Sequence, residues 1–466
     1  MMKARFFGSL GLLASVFMVG CGVDGDADKG ARSTASTEAP YPSTYQALSS
    51  KLTLIKNATV LTGDGARIEG GSVLLGDGKV LEVGDDLDVP DDAVVIDADG
   101  KWVTPGIIDN HSHLGVYASP GVSSHSDGNE ISGPNTAEVW AEHAVWPQDQ
   151  GFNTARAGGV TVLQILPGSA NLFGGRGVTL KNVPARTMQG MKFPGAPNGL
   201  KMACGENPKR VYGEKGGPFS RMGNVAGYRA AWIKAVAYKE KWEEYEAGKA
   251  EKPPERDLEL DTLMGVLKGE ILVHNHCYRA DEMAVMLDLA KEFGYKVTAF
   301  HHAVEAYKIA DLLAESGTCA AMWADWWGFK MEAFDGIREN IALVDKAGAC
   351  AIVHSDSAVG IQRLNQEAAK VMGAAARVGM DITPEHAWTW LSLNPARSLG
   401  IDQVTGTLAK GKNGDLVIWD GNPFSVYTRA EKVFVDGALV YDLNDPVYQA
   451  VSDFTLGSLE SEGGLK

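Results

Sequence analysis

The chain has 466 residues, 45% hydrophobic and 22% charged, close to the averages of folded water-soluble proteins, which excludes wholesale disorder and a bundle of membrane spans. Its length admits one large barrel-type domain or several small ones. A formal net charge of −16, with no lysine-rich run interleaved with aromatics to offset it, repels phosphate backbones and argues against nucleic acid as a partner.

At the N-terminus, Lys3 and Arg5 precede an apolar stretch over 6–20 that is too short to span a bilayer comfortably and reads as an export signal. The stretch ends in Met18-Val19-Gly20-Cys21, where small residues before the cysteine resemble the lipobox of bacterial lipoproteins. That resemblance implies cleavage before Cys21, acylation of its thiol, and a membrane-anchored lipoprotein facing the periplasm or cell exterior, with inner or outer membrane left open. An ordinary signal peptide with a chance cysteine, or an anchor that is never cut, are the competing readings. Residues 1–21 are therefore set aside as signal peptide, and the Asp-, Gly-, Ser- and Thr-rich residues 22–50 read as a flexible tether.

Residues 51–103 are rich in short β-type runs such as Leu52-Thr53-Leu54-Ile55 and Val80-Leu81-Glu82-Val83, separated by Gly-Asp and Asp-Gly turn signals. The same texture returns over 404–442, in Leu416-Val417-Ile418-Trp419 and Lys432-Val433-Phe434-Val435. The two ends are expected to pair into one small β-sandwich domain, leaving 443–466 as a tail.

Over 104–403, apolar β-branched runs alternate with amphipathic helical stretches, the mark of βα units with parallel strands. Candidate strands at 107–113, 160–166, 177–181, 200–204, 271–276, 296–302, 319–323 and 349–354 suggest a closed (β/α)8 barrel of the TIM type. Helices are expected at 281–293, 304–316 and 337–347 from apolar residues at three-to-four spacing. Long polar stretches rich in Gly and Pro, 115–158 and 184–199, fit loops over a barrel mouth. The segment 228–256 reads as a long exposed helix stopped by Pro253-Pro254. An exported protein could pair Cys204, Cys277, Cys319 and Cys350, but each lies in or beside a predicted strand and reads as a small buried hydrophobe with a free thiol.

The chemistry concentrates at His111-Ser112-His113. Positions i and i+2 of a strand project to one face, so both imidazoles can reach one metal ion. Alone, such a pair arises by chance and does nothing on a surface strand. It gains weight because His276 ends the fifth predicted strand, His302 ends the sixth, and Asp356 lies just beyond the eighth. Barrel active sites are assembled from strand C-termini. Each residue alone has a plain reading as a hydrogen-bonded polar group; together they call for a divalent metal, and such donors suit zinc, manganese, iron and cobalt alike.

The order of motifs resembles the amidohydrolase superfamily, in particular exported relatives of imidazolonepropionase and its dipeptidase-like members. The likeness covers 51–442. It rests on Thr104-Pro105-Gly106-Ile107-Ile108-Asp109 leading into His111 and His113, on Val273-His274-Asn275-His276, on His301-His302, on His354-Ser355-Asp356, and on Asn394-Pro395-Ala396-Arg397 followed by Gly411-Lys412-Asn413-Gly414-Asp415. The resemblance implies that His111 and His113 hold a more buried ion, His276 and His302 a more exposed one, and that Asp356 binds metal while shuttling a proton. It favours His276 over His274, which shares its face. In binuclear members a fourth-strand residue bridges the ions, and the candidate is Lys201 as a carbamate, with Glu206 as the unmodified rival. If neither bridges, the site holds a single ion. His301 reads as a packing residue facing away from His302, and His125, His143 and His386 receive no metal role.

These implications converge on cleavage of a carbon–nitrogen amide bond by metal-bound hydroxide, with one or two zinc ions and Asp356 passing the proton to the leaving amine. The expected substrate is a dipeptide, an N-acyl amino acid or a cyclic amide, its carboxylate held by groups such as Tyr278, Arg279, Arg210 and Tyr212. Two alternatives stay open: hydrolytic deamination of a heterocycle, and a non-catalytic metal-binding lipoprotein. A homo-oligomer is left open as well.

Overall fold

The computed structural model describes residues 41–450. The export signal, the acylation site at Cys21, most of the tether and the end of the tail lie outside the described residues.

Five short strands come first: β1 (Thr53–Leu61), β2 (Arg67–Gly76), β3 (Lys79–Gly84), β4 (Val94–Asp97) and β5 (Trp102–Pro105). Asp77 and Gly78 both hold positive φ, 52° and 78°, the geometry a tight two-residue hairpin demands, and this sets the β2–β3 register. Near the other end of the chain, β14 (Leu416–Trp419), β15 (Ala430–Val435) and β16 (Ala438–Asp442) repeat the device, with Asp436 and Gly437 at 46° and 70°. Antiparallel pairing of β14 with β5 joins both ends into one eight-stranded sheet, ordered β16-β15-β14-β5-β1-β2-β3 with β4 beside β1. Its own core includes Ile55, Val60, Val73, Leu75, Val103, Leu416, Ile418 and Phe434.

Between them lies the barrel: β6 (Ile107–Ser112), β7 (Val160–Ile165), β8 (Phe173–Lys181), β9 (Gly199–Ala203), β10 (Leu272–Cys277), β11 (Val297–His302), β12 (Cys319–Met322) and β13 (Ala351–Val353), paired in chain order. Burial on both faces explains the nearly continuous apolar runs. Seven strands share a direction, but β8 runs antiparallel to both β7 and β9. The expectation of parallel strands throughout is corrected here: a parallel neighbour needs a crossover of about a dozen residues or more, and the link over 166–172 is too short for one.

No ladder joins β13 to β6 among the described residues. That seam is held instead by Asp356 N–H donating to the His111 carbonyl at 3.0 Å and by Ile108 N–H donating to Leu391 at 2.9 Å.

Helices pack outside the barrel. Ala280–Phe293 buries Met283, Met286, Leu287 and Ala290 at helical spacing and stops at Gly294, whose φ of 74° ends the turn. The long helix is Arg221–Glu246, and it is less exposed than its charges suggest: Tyr228, Trp232, Ala235, Tyr238 and Trp242 form a buried stripe.

The cysteines are not free. Cys204 bonds to Cys277 and Cys319 to Cys350, with Cα separations of 5.3 and 4.4 Å. Parallel register is the reason: His276 pairs with Ala203 and Ala320 with Ala351, so each cysteine stands beside its partner on the adjacent strand. Separations of 73 and 31 residues hide that neighbourhood in the sequence.

Candidate metal centre

β6 delivers His111 and, just beyond its end, His113. The Nε2 atom of His111 lies 3.3 Å from Nε2 of His113, 3.3 Å from Nζ of Lys201 and 3.5 Å from Oδ1 of Asp356. His113 Nε2 is 3.0 Å from that same carboxylate oxygen. Its other nitrogen, Nδ1, sits 2.7 Å from the Leu166 carbonyl and must donate to it, which leaves the Nε2 lone pair free for a cation. Lys201 is fully buried in β9 and donates to the Pro167 carbonyl at 2.9 Å. Burial pushes its ammonium down to about 7.

A second set of rings completes the cluster. His302 Nδ1 is 3.0 Å from His354 Nε2 and 3.8 Å from Asp356 Oδ2, and the His302 ring centroid lies 4.7 Å from that of His276. Two triads have donor atoms close enough to share an ion: His111, His113 and Asp356, and His111, His302 and His354. Nδ1 of His276 and Nδ1 of His354 are buried without a protein partner, an arrangement that is costly unless a cation or water satisfies them. Neutral imidazoles and a carboxylate are the donors a divalent first-row ion prefers, so these residues fit one.

Electrostatics keep the rings in their ligating form. Burial lowers His111, His276 and His302 well below the ordinary histidine value and brings His354 to about 4. Burial works to raise Asp356, but the hydrogen bond with His113 and the nearby charges of His113, His354 and Lys201 hold it below the usual carboxylate range.

Strand ends supply the geometry. Regular alternation would send His301 and His302 to opposite faces, yet both rings point into the barrel. His302 has φ of 71° and Ala303 of 24°, so β11 breaks its period at His302 and swings that ring back over the mouth. The Asn340 amide holds the turn by donating to the carbonyls of Ala303 and Val304 at 2.9 and 3.1 Å. Asp356, at φ 49°, is aimed by a similar left-handed residue. Such backbone costs about 1–3 kcal/mol each and persists where the surroundings fix it. His301 is accordingly no packing residue: its Nδ1 contacts His111 Nδ1 at 2.9 Å.

The other expected residues separate into two groups. Tyr278 stays at the mouth, its ring centroid 4.6 Å from that of His276. Arg279 is turned away and paired with Asp281 at 2.9 Å, Arg210 is exposed on the helix Glu206–Tyr212, and Tyr212 is buried with its hydroxyl unpartnered. Glu206 is engaged by Lys330 at 3.2 Å, whereas Lys201 reaches the cluster.

Several residues at the mouth escaped the sequence reading. Lys330 lies 4.2 Å over the Tyr278 ring and donates to Asn207 Oδ1 at 3.0 Å, while the Asn207 amide nitrogen is 3.3 Å from His276 Nε2. Trp323 stacks on His302 at 4.4 Å and Trp326 on Trp323 at 5.4 Å. Only His354 carried a usable signal, being the first residue past an apolar strand. A cavity of about 350 Å³ opens beside Tyr295 and Val297, at the far end of β11 from His302, and touches none of the cluster.

The eight-stranded α/β barrel, with its β-domain built from both chain ends, gathers histidines and a carboxylate at its mouth, where barrel enzymes place their active sites. Residues 102–451 match the model of the Amidohydrolase family, and the chain belongs to that family. It is 32% identical over 437 residues to "Amidohydrolase tasK" of Hapsidospora irregularis, covering 85% of this chain but only 44% of that longer protein. It is 25% identical to the imidazolonepropionase of Mesorhizobium japonicum, over 80% of this chain and 92% of that one. Among solved structures, an amidohydrolase from Thermotoga maritima superposes with a TM-score of 0.77 at 36% identity, covering 84% of this chain and all of that one.

Proposed function

We propose that the chain hydrolyses the amide bond of a dipeptide or N-acyl amino acid, using one or two divalent ions, zinc in the first instance, held by His111, His113, His276, His302 and Asp356. The observation that carries this reading is the convergence of His113 Nε2, Lys201 Nζ and Asp356 Oδ1 within 3.5 Å of His111 Nε2. Once bound, a divalent ion acidifies water and polarises a carbonyl. Asp356, kept ionised and a quarter exposed on the cluster, accepts the water's proton and hands it to the leaving amine. Lys201 is the bridging candidate as a carbamate: pushed down to about 7, its amine has a substantial neutral fraction near neutral pH that can react with carbon dioxide.

Acidic groups near the mouth suit a substrate with a free ammonium. Asp127 and Glu130 line a cavity of about 210 Å³ that reaches Pro167, the carbonyl partner of Lys201, while Lys330, which reaches His276 through Asn207, is already paired with Glu206. The acidic pair suits a substrate ammonium. The aromatic group of Tyr278, Trp323, Trp326 and Phe329 suits an apolar side chain. Two disulfides support an exported protein, as such bonds persist in oxidising compartments, and anchoring through Cys21 belongs to the same proposal.

Metal-loaded protein incubated with a dipeptide and N-acyl amino acid library beside an aminopurine panel tests the reading. Release of amino acids supports it, and release of ammonia from the purines replaces it with deamination. Tight metal uptake without turnover of any compound leaves the metal-binding lipoprotein. An Asp356→Asn variant with intact metal content and near-normal rates contradicts the proton-shuttle role.

A further inference from the structure

A second line of side chains leaves His111 in the opposite direction, into the barrel interior. His111 Nδ1 lies 2.9 Å from His301 Nδ1, His301 Nε2 lies 2.9 Å from His274 Nδ1, and His274 Nε2 lies 3.4 Å from the Gln164 amide. These residues come from four strands, β6, β11, β10 and β7, and none is more than 1% exposed. The bond partners are unusual for a core, because every link but the last joins two imidazoles.

Hydrogen-bond bookkeeping restricts such a line severely. A neutral imidazole carries one N–H and one lone pair, so each contact needs one donor facing one acceptor. All three rings are completely buried, where an uncompensated charge is too costly to keep, so each is neutral. Only two arrangements then satisfy every contact: all hydrogens point toward Gln164, or all point toward His111. The second places a hydrogen on His111 Nε2, facing His113, Lys201 and Asp356, and removes the lone pair an ion requires. The first places hydrogens on His111 Nδ1, His301 Nε2 and His274 Nε2 and ends on an acceptor at Gln164. The Gln164 amide can supply either end by a half-turn that exchanges its oxygen and nitrogen. Its Oε1 is buried and lacks a partner in the present rotation.

Room for this line depends on a glycine in the next strand. A Cβ at Gly199 would fall 2.8 Å from Gln164 Nε2 and 2.8 Å from His274 Cδ2, so a larger residue there would drive the last link apart.

We propose that Gln164, His274 and His301 are positioning residues that lock His111 into its Nδ1–H tautomer, so that the Nε2 lone pair is presented to the ion. The proposal rests on the metal-site reading above. No proton is gained or lost along the line; one of two hydrogen-bond directions is selected.

Gln164 is the residue to change, being farthest from the ligands. An ionised glutamate offers only acceptors and preserves the direction, whereas leucine offers none. In competition with a chelator, Gln164→Leu is expected to weaken the tightest zinc by about ten- to a hundredfold, the usual scale for partners behind a ligand, while Gln164→Glu holds the wild-type value. A packing role alone predicts the reverse order, since a buried carboxylate is worse tolerated than leucine. Equal affinities in both variants, or the reverse order, overturn the proposal. Histidine nitrogen NMR on wild-type, zinc-loaded protein gives a test free of folding defects: hydrogens on His301 Nε2 and His274 Nε2 are expected, and a hydrogen on His301 Nδ1 overturns it. Wild-type protein that binds no zinc sinks the functional reading and this one with it; firm binding that ignores Gln164 sinks this one alone.

Discussion

Ser355 donates its hydroxyl to Oδ2 of Asp109 across the seam where β13 and β6 share no ladder. The other carboxylate oxygen accepts the backbone N–H groups of Ser355 at 3.2 Å and His111 at 3.1 Å. One buried side chain thus stitches the first barrel strand to the exit of the last and fixes the separation of His111 from Asp356. Burial raises the Asp109 carboxyl to about 7 even though these bonds work to lower it. Removing the hydroxyl with Ser355→Ala deletes a hydrogen bond to a charged or nearly charged group, a loss of about 1.5–3 kcal/mol in urea unfolding. The same variant should release metal faster, and an unchanged urea midpoint would contradict the stitch.

Acid should destabilise the metal-free protein in a defined window. His274 and His354 have folded values of about 3 and about 4, below the ordinary 6.5. The unfolded chain therefore takes up protons first as pH falls, and the stability present above 6.5 is lost progressively as the pH drops through about 4 and then about 3. Urea midpoints measured below about pH 7, where Lys201 has largely taken up its proton, and down to about pH 4.5 should decline, the buried rings outweighing the single opposing proton held by Asp109. A flat profile would show that these rings are not buried neutral.

Lys201 links activity to carbon dioxide. Its amine is pushed down to about 7, so carbamylation should proceed readily at slightly alkaline pH and poorly under acid conditions. Metal loading with bicarbonate is expected to raise activity and add one carbamate to the intact mass, and Lys201→Ala should abolish both responses. A bicarbonate-insensitive enzyme whose Glu206→Gln variant loses metal would reassign the bridge to Glu206.

The aromatic rings at the mouth should set substrate preference. Trp326 and Phe329 remain 41% and 56% exposed, although Trp326 continues the stack that begins on His302 and Phe329 packs edge-on against Trp323. Replacing both by alanine should lower kcat/KM for a phenylalanine-containing dipeptide roughly tenfold, about 1–2 kcal/mol, with little change for the alanine analogue. Equal losses on both substrates would point to a folding role for this loop.

Much of the fold could be read from the amino acids because strands buried on both faces are apolar runs, and all eight barrel strands fall where such runs stand. Direction is not written in a run's composition. β8 reverses because its connection is short, and the two disulfides follow from lateral register, which only the assembled sheet defines. At the site, His111 and His113 were visible through their spacing, and His276 and His302 through their place at strand ends. His301 was misread because alternation was carried one residue past the point where His302, at φ 71°, ends it. Lys330 and Trp326 sit on loops whose path over the mouth has no periodic signature, and nothing local in the sequence marks them.

Anomalous diffraction from crystals grown with zinc tests the central claim most directly. The account predicts a peak within about 2.0–2.2 Å of His111 Nε2, His113 Nε2 and an Asp356 oxygen. A well-ordered protein whose zinc binds elsewhere, leaving those three side chains hydrogen-bonded to one another, would contradict it.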